Sequence, residues 1–124
     1  AVTYGGIGMA AGHEMTHGFD TSGALFDEKG NARSWWTPST FKKYLSKTMC
    51  FVREYSNFTV LNGVYHLRGR QTLNENIADN GGLRIAYLAY ENWIKENGND
   101  FALPGKLSSL TSKQLFFISF SQVS

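Results

Sequence analysis

Two histidines and a glutamate stand within five residues of the chain, at His13, Glu14 and His17. If the segment is helical, the two histidines lie at i and i+4 on one face and can direct two ring nitrogens at one metal ion. Glu14 lies one position further round, near enough to act on a water molecule held by that metal. The spacing therefore predicts a zinc site with an adjacent base. The alternative is two ordinary helix histidines beside a surface glutamate.

A hydrolytic zinc ion usually has three protein ligands and one open position. The third histidine, His66, lies in a run that is typical of a strand, and we interpret it as an ordinary packed or surface histidine. Glu75 and Asp79 begin a long helical pattern and share one helix face at i and i+4. By themselves they would be a solvated helix face, but beside an HExxH motif they become candidate metal-site residues.

The two carboxylates of that helix suit different tasks. We predict that Glu75 binds zinc and that Asp79 accepts the other ring N–H of a liganding histidine, which fixes the tautomer of that ring and raises its basicity. Asp20 stands three residues after His17 and is predicted to do the same for that imidazole.

Two linked motifs resemble the neprilysin family of zinc metallopeptidases, to which endothelin-converting enzyme also belongs. They are Gly12-His13-Glu14-Met15-Thr16-His17-Gly18-Phe19-Asp20 and Glu75-Asn76-Ile77-Ala78-Asp79-Asn80-Gly81-Gly82. The segments between and after them are similar too, notably Phe26-Asp27, Trp35-Trp36, Asn57-Phe58-Thr59 and Lys113-Gln114-Leu115-Phe116-Phe117. The resemblance covers essentially the whole chain.

The resemblance implies a role for each residue of the two motifs. It implies that His13, His17 and Glu75 bind one Zn²⁺ per chain, with Glu14 as the general base. It also implies a second catalytic role for Asp79, sometimes described as that of a proton donor. We predict instead that Asp79 orients an imidazole.

The resemblance further implies a metalloendopeptidase that cleaves short peptides on the amino side of hydrophobic residues. An alternative is a non-catalytic zinc-binding or inhibitor-binding fragment derived from such a peptidase. A purely structural zinc domain is less favoured, because structural sites usually close with four Cys or His ligands.

Residues 1–124 are expected to be a single partial catalytic domain, truncated at both ends, that packs against the remaining lobes of a parent ectodomain. The sequence departs from the family pattern beside both motifs. Thr21-Ser22 replaces an Asp-Gln pair, and Asn74 replaces the glycine before Glu75. None of these changes removes a ligand, but Asn74 is expected to alter how the second helix enters the site.

Composition indicates a globular chain, since 42% of the residues are hydrophobic and 15% are aromatic. The net charge is +2 and the basic residues are scattered, which argues against nucleic-acid binding. The longest apolar run, Leu115 to Phe120, is interrupted by Ser119 and is far too short to span a membrane. No direct membrane contact is expected from this segment.

Two features bear on the cellular compartment. Asn57-Phe58-Thr59 is an N-glycosylation acceptor at Asn57. Cys50 is the only cysteine, and the resemblance implies that it pairs with a cysteine outside this chain; the alternative is a buried free thiol. We expect an extracellular or cell-surface location, in a parent that is secreted or has a single membrane span.

The expected fold class is mainly α, a thermolysin-like zincin catalytic subdomain with an HExxH helix, a second metal-ligand helix and a short β-hairpin. Helices are predicted over residues 4–19, 38–55 and 74–96, with a last helix after a capping box at Thr111. Asn62-Gly63 predicts the hairpin turn. Gly81-Gly82 is interpreted as a close approach of the second metal helix to a neighbour. We also predict that Leu115–Ile118 is a buried face and that Tyr87, Tyr90 and Trp93 belong to the core.

Overall fold

A computed structural model describes residues 1–123 of the chain. In chain order the elements are a π-helical turn at Tyr4–Gly8, α1 at Met9–His17, a 3₁₀ turn at Gly23–Leu25, α2 at Pro38–Ser56, β1 at Thr59–Val60, β2 at Tyr65–His66, α3 at Leu73–Asn97, a 3₁₀ turn at Gly105–Ser109 and α4 at Ser112–Phe120. This order confirms the predicted mainly α chain with one short hairpin. Over the described residues, no helix is both long enough and apolar enough to cross a membrane.

The chain divides into two compact units. Unit 1 consists of Ala1–Met15 and Asp79–Ser124, and unit 2 of Thr16–Ala78. Both divisions fall inside a helix, one in α1 and the other in α3. Because neither division falls in a loop, the sequence contains no linker that would mark it. The assignment of residues 1–124 to one partial catalytic domain stays a prediction.

The core of unit 1 forms where α3 and α4 pack with the start of the chain. Met9, Ala86, Tyr90 and Phe116 are its buried members, and Tyr87 and Trp93 pack against them. The rings of Tyr90 and Phe116 are stacked with centroids 5.9 Å apart. The prediction that these α3 aromatics belong to the core is therefore confirmed.

Helix α4 begins at the predicted capping box. The Thr111 hydroxyl accepts a hydrogen bond from the Gln114 N–H at 3.2 Å, and the Gln114 side chain accepts one from the Thr111 N–H at 2.8 Å. The predicted burial of the whole Leu115–Ile118 run is wrong. Leu115 and Phe116 are buried, but Phe117 and Ile118 are 47% and 45% exposed. Four consecutive helical residues point in different directions, so one neighbouring surface covers only some of them.

Helix α2 is the main element of unit 2, and it starts as predicted. The Thr37 side chain accepts from the Thr40 N–H, and Pro38 occupies the first helical position, where its missing N–H costs nothing. Before the helix, the Trp36 indole donates to the Ala24 carbonyl at 2.7 Å. These contacts tie the loop that follows α1 to the first turns of α2.

The hairpin of unit 2 pairs Thr59 with His66 and Val60 with Tyr65 in antiparallel register. Its four-residue loop contains the predicted Asn62-Gly63 pair, with φ of +56° and +88°. Glycine and asparagine tolerate that region of backbone space, which explains why this dipeptide marks the turn. Each strand is only two residues long.

Candidate metal centre

Helix α1 carries the HExxH motif on its last two turns. The sequence predicted this helix over residues 4–19, but it ends at His17, where Gly18 begins a turn. His13 and His17 are partly buried and lie one helical turn apart, while Glu14 is exposed. A pocket of about 190 Å³ is lined by His13, Glu14 and Asp79 together with Met9, Ala10 and Val123. Glu14 and the His13 imidazole therefore line the same pocket, which has room for a small reactant.

Each imidazole of the motif has a carboxylate at Nδ1. The His13 Nδ1 lies 2.8 Å from Asp79 Oδ1, and the His17 Nδ1 lies 2.8 Å from Asp20 Oδ2. An ionised carboxylate can only accept, so these contacts favour the tautomer in which Nδ1 carries the proton. In that tautomer the Nε2 atom has the lone pair that a metal ion binds.

Asp20 is held in place by more than the imidazole. Its side chain is buried, and its Oδ1 accepts hydrogen bonds from the backbone N–H groups of Ser22 and Gly23 at 2.8 and 2.7 Å. Burial raises the pKa of the Asp20 carboxyl, but the hydrogen bonds that it accepts outweigh burial and hold the pKa below its usual value. The carboxylate beside His17 is thus kept ionised by its own loop.

Glu75 lies in the first turn of α3, and its Oε2 is 3.6 Å from the Nε2 of His17. Within unit 2, the His17 imidazole and the Glu75 carboxylate are therefore close enough to be ligands of one ion. His13 lies one turn before His17 on α1, so the HExxH helix and the first turn of α3 carry the three residues that the sequence singled out as metal ligands.

The donor set fits zinc. Two neutral imidazole nitrogens and one carboxylate oxygen match the His₂Glu ligand set of hydrolytic zinc sites, in which a fourth position stays open. Both imidazoles also have the hydrogen-bonded Nδ1 that zinc-binding histidines almost always show.

Close packing of α1 and α3 within unit 1 involves two glycines. A Cβ placed on Gly82 would lie 2.8 Å from the His13 Cα, and one on Gly12 would lie 2.9 Å from the Gly82 carbonyl oxygen. Only residues without a side chain permit this approach. The interpretation of Gly82 as a close approach of the second metal helix to a neighbour is confirmed, and that neighbour is α1. For Gly81 the interpretation stays a prediction.

The remaining candidates lie elsewhere. His66 lies in β2, as predicted, with its Nδ1 3.2 Å from the Ser56 carbonyl oxygen. Asn57 caps the C-terminus of α2 and is exposed, while its glycosylation stays a prediction. Cys50 is exposed on α2, so the alternative of a buried thiol is wrong. Its pairing with a cysteine outside the chain stays a prediction.

Sequence reasoning missed one set of contacts beside the site. The Asn74 side chain hydrogen-bonds to both Thr21 and Ser22, although 53 residues separate Asn74 from Thr21. The departures of these three residues from the family pattern were the available signal. No sequence pattern indicated that they contact one another.

A helical chain in which an HExxH helix and a carboxylate-bearing helix supply these donors is typical of metallopeptidases. A profile of peptidase family M13 matches residues 1–124, and the chain belongs to that family. Endothelin-converting enzyme 1 of Mus musculus is 51% identical over 123 residues, which are 99% of this chain and 16% of the relative. Neprilysin of Homo sapiens is 50% identical over 124 residues, with the same two coverages. The predicted resemblance is confirmed, and the chain spans 16% of the length of these relatives.

Solved structures support the same fold. The crystal structure of Mycobacterium tuberculosis zinc metalloprotease ZMP1 in complex with an inhibitor has a TM-score of 0.84 and 36% sequence identity, and the match covers 98% of this chain and 19% of that one. The crystal structure of PEPO from Lactobacillus rhamnosis has a TM-score of 0.76 and 30% identity, covering 98% and 17%. These similarities confirm the predicted fold class.

Proposed function

We propose that the protein containing this chain is a zinc-dependent metalloendopeptidase that cleaves short peptides on the amino side of hydrophobic residues. The observation that carries the proposal is the 3.6 Å distance between His17 Nε2 and Glu75 Oε2, with His13 one turn before His17 on the same helix. The names of the relatives, an endothelin-converting enzyme and a neprilysin, and of the zinc metalloprotease with a similar fold support it.

His13 and His17 would hold the zinc ion through Nε2, and Glu75 would hold it through its carboxylate. When bound, zinc supplies a Lewis acid that lowers the pKa of a water molecule to about 7 and polarises the carbonyl of the scissile peptide. Asp79 and Asp20 keep the two imidazoles oriented and in the required tautomer.

Glu14 moves the proton in this mechanism. Its carboxylate takes a proton from the attacking water and later passes it to the leaving amine. The position of Glu14 on the pocket beside His13 supports this role, because a general base must reach the proton that it removes.

We infer that the chain belongs to a larger extracellular or cell-surface ectodomain whose other lobes are its partners. Two observations support this inference. The chain spans only 16% of the length of its relatives, and the adjacent apolar side chains of Phe117 and Ile118 on α4 are exposed, as at surfaces that contact other protein. The exposed Asn57 acceptor site is compatible with glycosylation in that location.

Two substitutions in the full-length protein test the proposal by separating metal binding from proton transfer. Glu14→Gln keeps the shape of the side chain but removes the base, so zinc content stays stoichiometric while hydrolysis falls by at least about 10²-fold. Glu75→Ala removes a metal ligand, so zinc is lost. Atomic absorption measures the metal, and cleavage of a quenched fluorescent peptide measures activity.

Glu28→Gln serves as the matched control, because Glu28 is an exposed glutamate outside the site. It retains both zinc and activity. Near wild-type turnover in Glu14→Gln would refute the role of Glu14, and stoichiometric zinc in Glu75→Ala would refute the ligand set.

A further inference from the structure

The Asn74 carboxamide joins two segments of unit 2 that are distant in sequence. Its Oδ1 accepts hydrogen bonds from the Thr21 backbone N–H at 3.2 Å and from the Thr21 hydroxyl. Its Nδ2 donates to the Ser22 hydroxyl oxygen at 3.0 Å. We call these three residues, Asn74, Thr21 and Ser22, the Asn74 clamp.

Each end of the clamp lies next to a residue of the candidate metal centre. Asn74 directly precedes Glu75, and Thr21 directly follows Asp20. The Ser22 N–H also donates to Asp20, whose other carboxylate oxygen contacts the His17 ring. A continuous set of side-chain and backbone contacts therefore runs from the His17 imidazole to the residue before Glu75.

The position of the Glu75 carboxylate depends more on its backbone than on packing around the side chain. That side chain is 66% exposed, so packing restricts few of its rotamers. A flexible carboxylate is an effective ligand only if its backbone is fixed at the correct distance from the other ligands. The clamp fixes the backbone at the neighbouring residue, at the start of α3.

We propose that Asn74 is a positioning residue for zinc binding, which sets the first turn of α3 so that Glu75 faces His17. This inference rests on the proposed function, since it assumes that His17 and Glu75 are zinc ligands. It assigns to Asn74 and Thr21 an effect on metal affinity although neither is one of the proposed ligands.

The experiment compares Asn74→Ala and Thr21→Val in the full-length protein, with Zn²⁺ as the probe. Zinc affinity is measured by competition with a chromogenic chelator, and thermal unfolding of the zinc-free protein is measured in parallel. Asn74→Ala is expected to raise the zinc dissociation constant about 10-fold, at the low end for residues that support a metal ligand. Thr21→Val removes only the hydroxyl bond and is expected to have a smaller effect in the same direction.

Two controls identify the cause of the effect. Thr21→Ser keeps the hydroxyl that donates to Asn74 and is expected to bind zinc with wild-type affinity. Asn97→Ala removes an asparagine hydrogen bond at the other end of α3, to the Trp93 carbonyl, and is expected to leave zinc affinity unchanged. Alanine favours helix more than asparagine does, so a helix-propensity loss does not explain weaker zinc binding in Asn74→Ala.

Unchanged zinc affinity in both Asn74→Ala and Thr21→Val overturns the inference, whatever happens to zinc-free stability. Glu75→Ala separates this failure from failure of the proposed function. If Glu75→Ala loses zinc while the clamp variants keep full affinity, only the clamp is refuted. If Glu75→Ala keeps zinc, the proposed function fails and the clamp inference fails with it.

Discussion

The two imidazole–carboxylate pairs of the candidate metal centre have equal Nδ1–oxygen distances, 2.8 Å each, but different surroundings. Asp20 is 5% exposed and also accepts two backbone hydrogen bonds, so it stabilises its loop as well as the His17 ring. The Asp79 side chain is 38% exposed on a regular helix. Asp79 is therefore the position where the effect of a carboxylate on its imidazole can be tested with little change to the backbone.

At this residue scale, Asp79→Asn distinguishes an orienting role from a proton-donating one. The asparagine oxygen can still accept from the His13 N–H, but the negative charge that raises the basicity of the ring is lost. We expect zinc affinity to fall about 10- to 100-fold, while turnover at saturating zinc changes much less. Chelator competition gives the affinity, and peptide cleavage in excess zinc gives the turnover.

Glu96→Gln is the control for Asp79→Asn, because it neutralises an exposed carboxylate near the end of the same helix. It leaves affinity and turnover at wild-type values. Full zinc affinity combined with a collapse of turnover in Asp79→Asn would contradict the orienting role and support proton donation.

At the scale of the elements, the contact between α1 and α3 within unit 1 depends on the absence of side chains at Gly12 and Gly82. Gly82 costs the isolated helix about 1 kcal/mol relative to alanine, and the close approach offsets that cost. The contact also places the His13 backbone beside Gly82 of α3. Asp79, whose carboxylate contacts the His13 ring, lies about one turn before Gly82 on the same helix.

Gly82→Ala should therefore destabilise the protein even though alanine is the better helix former. The new Cβ would clash with the His13 backbone, so one of the two helices would have to move. We therefore expect the free energy of unfolding to fall by about 1–3 kcal/mol. The shift of His13 should also weaken zinc binding. Urea unfolding and chelator competition measure the two effects.

Gly8→Ala is the matched control for Gly82→Ala. A Cβ at Gly8 meets only ordinary contacts, the nearest being the Thr3 carbonyl oxygen at 3.4 Å. This substitution should leave stability unchanged or raise it slightly. Equal stability of the Gly82→Ala and wild-type proteins would show that the helices do not need the close approach.

The elements themselves were largely predictable because their signals are local. The start of α2 at residue 38, the Thr111 capping box and the Asn62-Gly63 turn each depend on neighbouring residues, and each is confirmed. Errors arose where a partner decides the outcome. Phe117 and Ile118 are as apolar as the buried Phe116, but no described part of unit 1 covers them fully.

For the whole molecule, the relevant fact is that the chain spans 16% of the length of its relatives. We propose that residues outside this chain help to bind the substrate and to stabilise the oxyanion. We expect the isolated 124-residue chain to cleave a quenched fluorescent peptide at least about 10²-fold more slowly than the full-length protein. Atomic absorption on both proteins checks that the comparison is made at equal zinc content.

The full-length Glu14→Gln protein supplies the background rate for this comparison. Cleavage by the isolated chain at the rate of the full-length protein would show that the 124 residues hold the complete catalytic site. A chain that binds zinc without cleavage would instead match the alternative of a non-catalytic zinc-binding fragment.

The identity of the candidate ligands was readable from the sequence, because HExxH fixes two imidazoles one turn apart and a helix fixes the spacing of Glu75 and Asp79. Which imidazole Asp79 serves was not readable, since that depends on how α3 approaches α1 in space. The Asn74 clamp was hidden for the same reason, because a hydrogen bond between residues 53 positions apart leaves no periodic or local pattern. Local chemistry is encoded by neighbouring residues, whereas contacts between distant segments exist only once the backbone has folded.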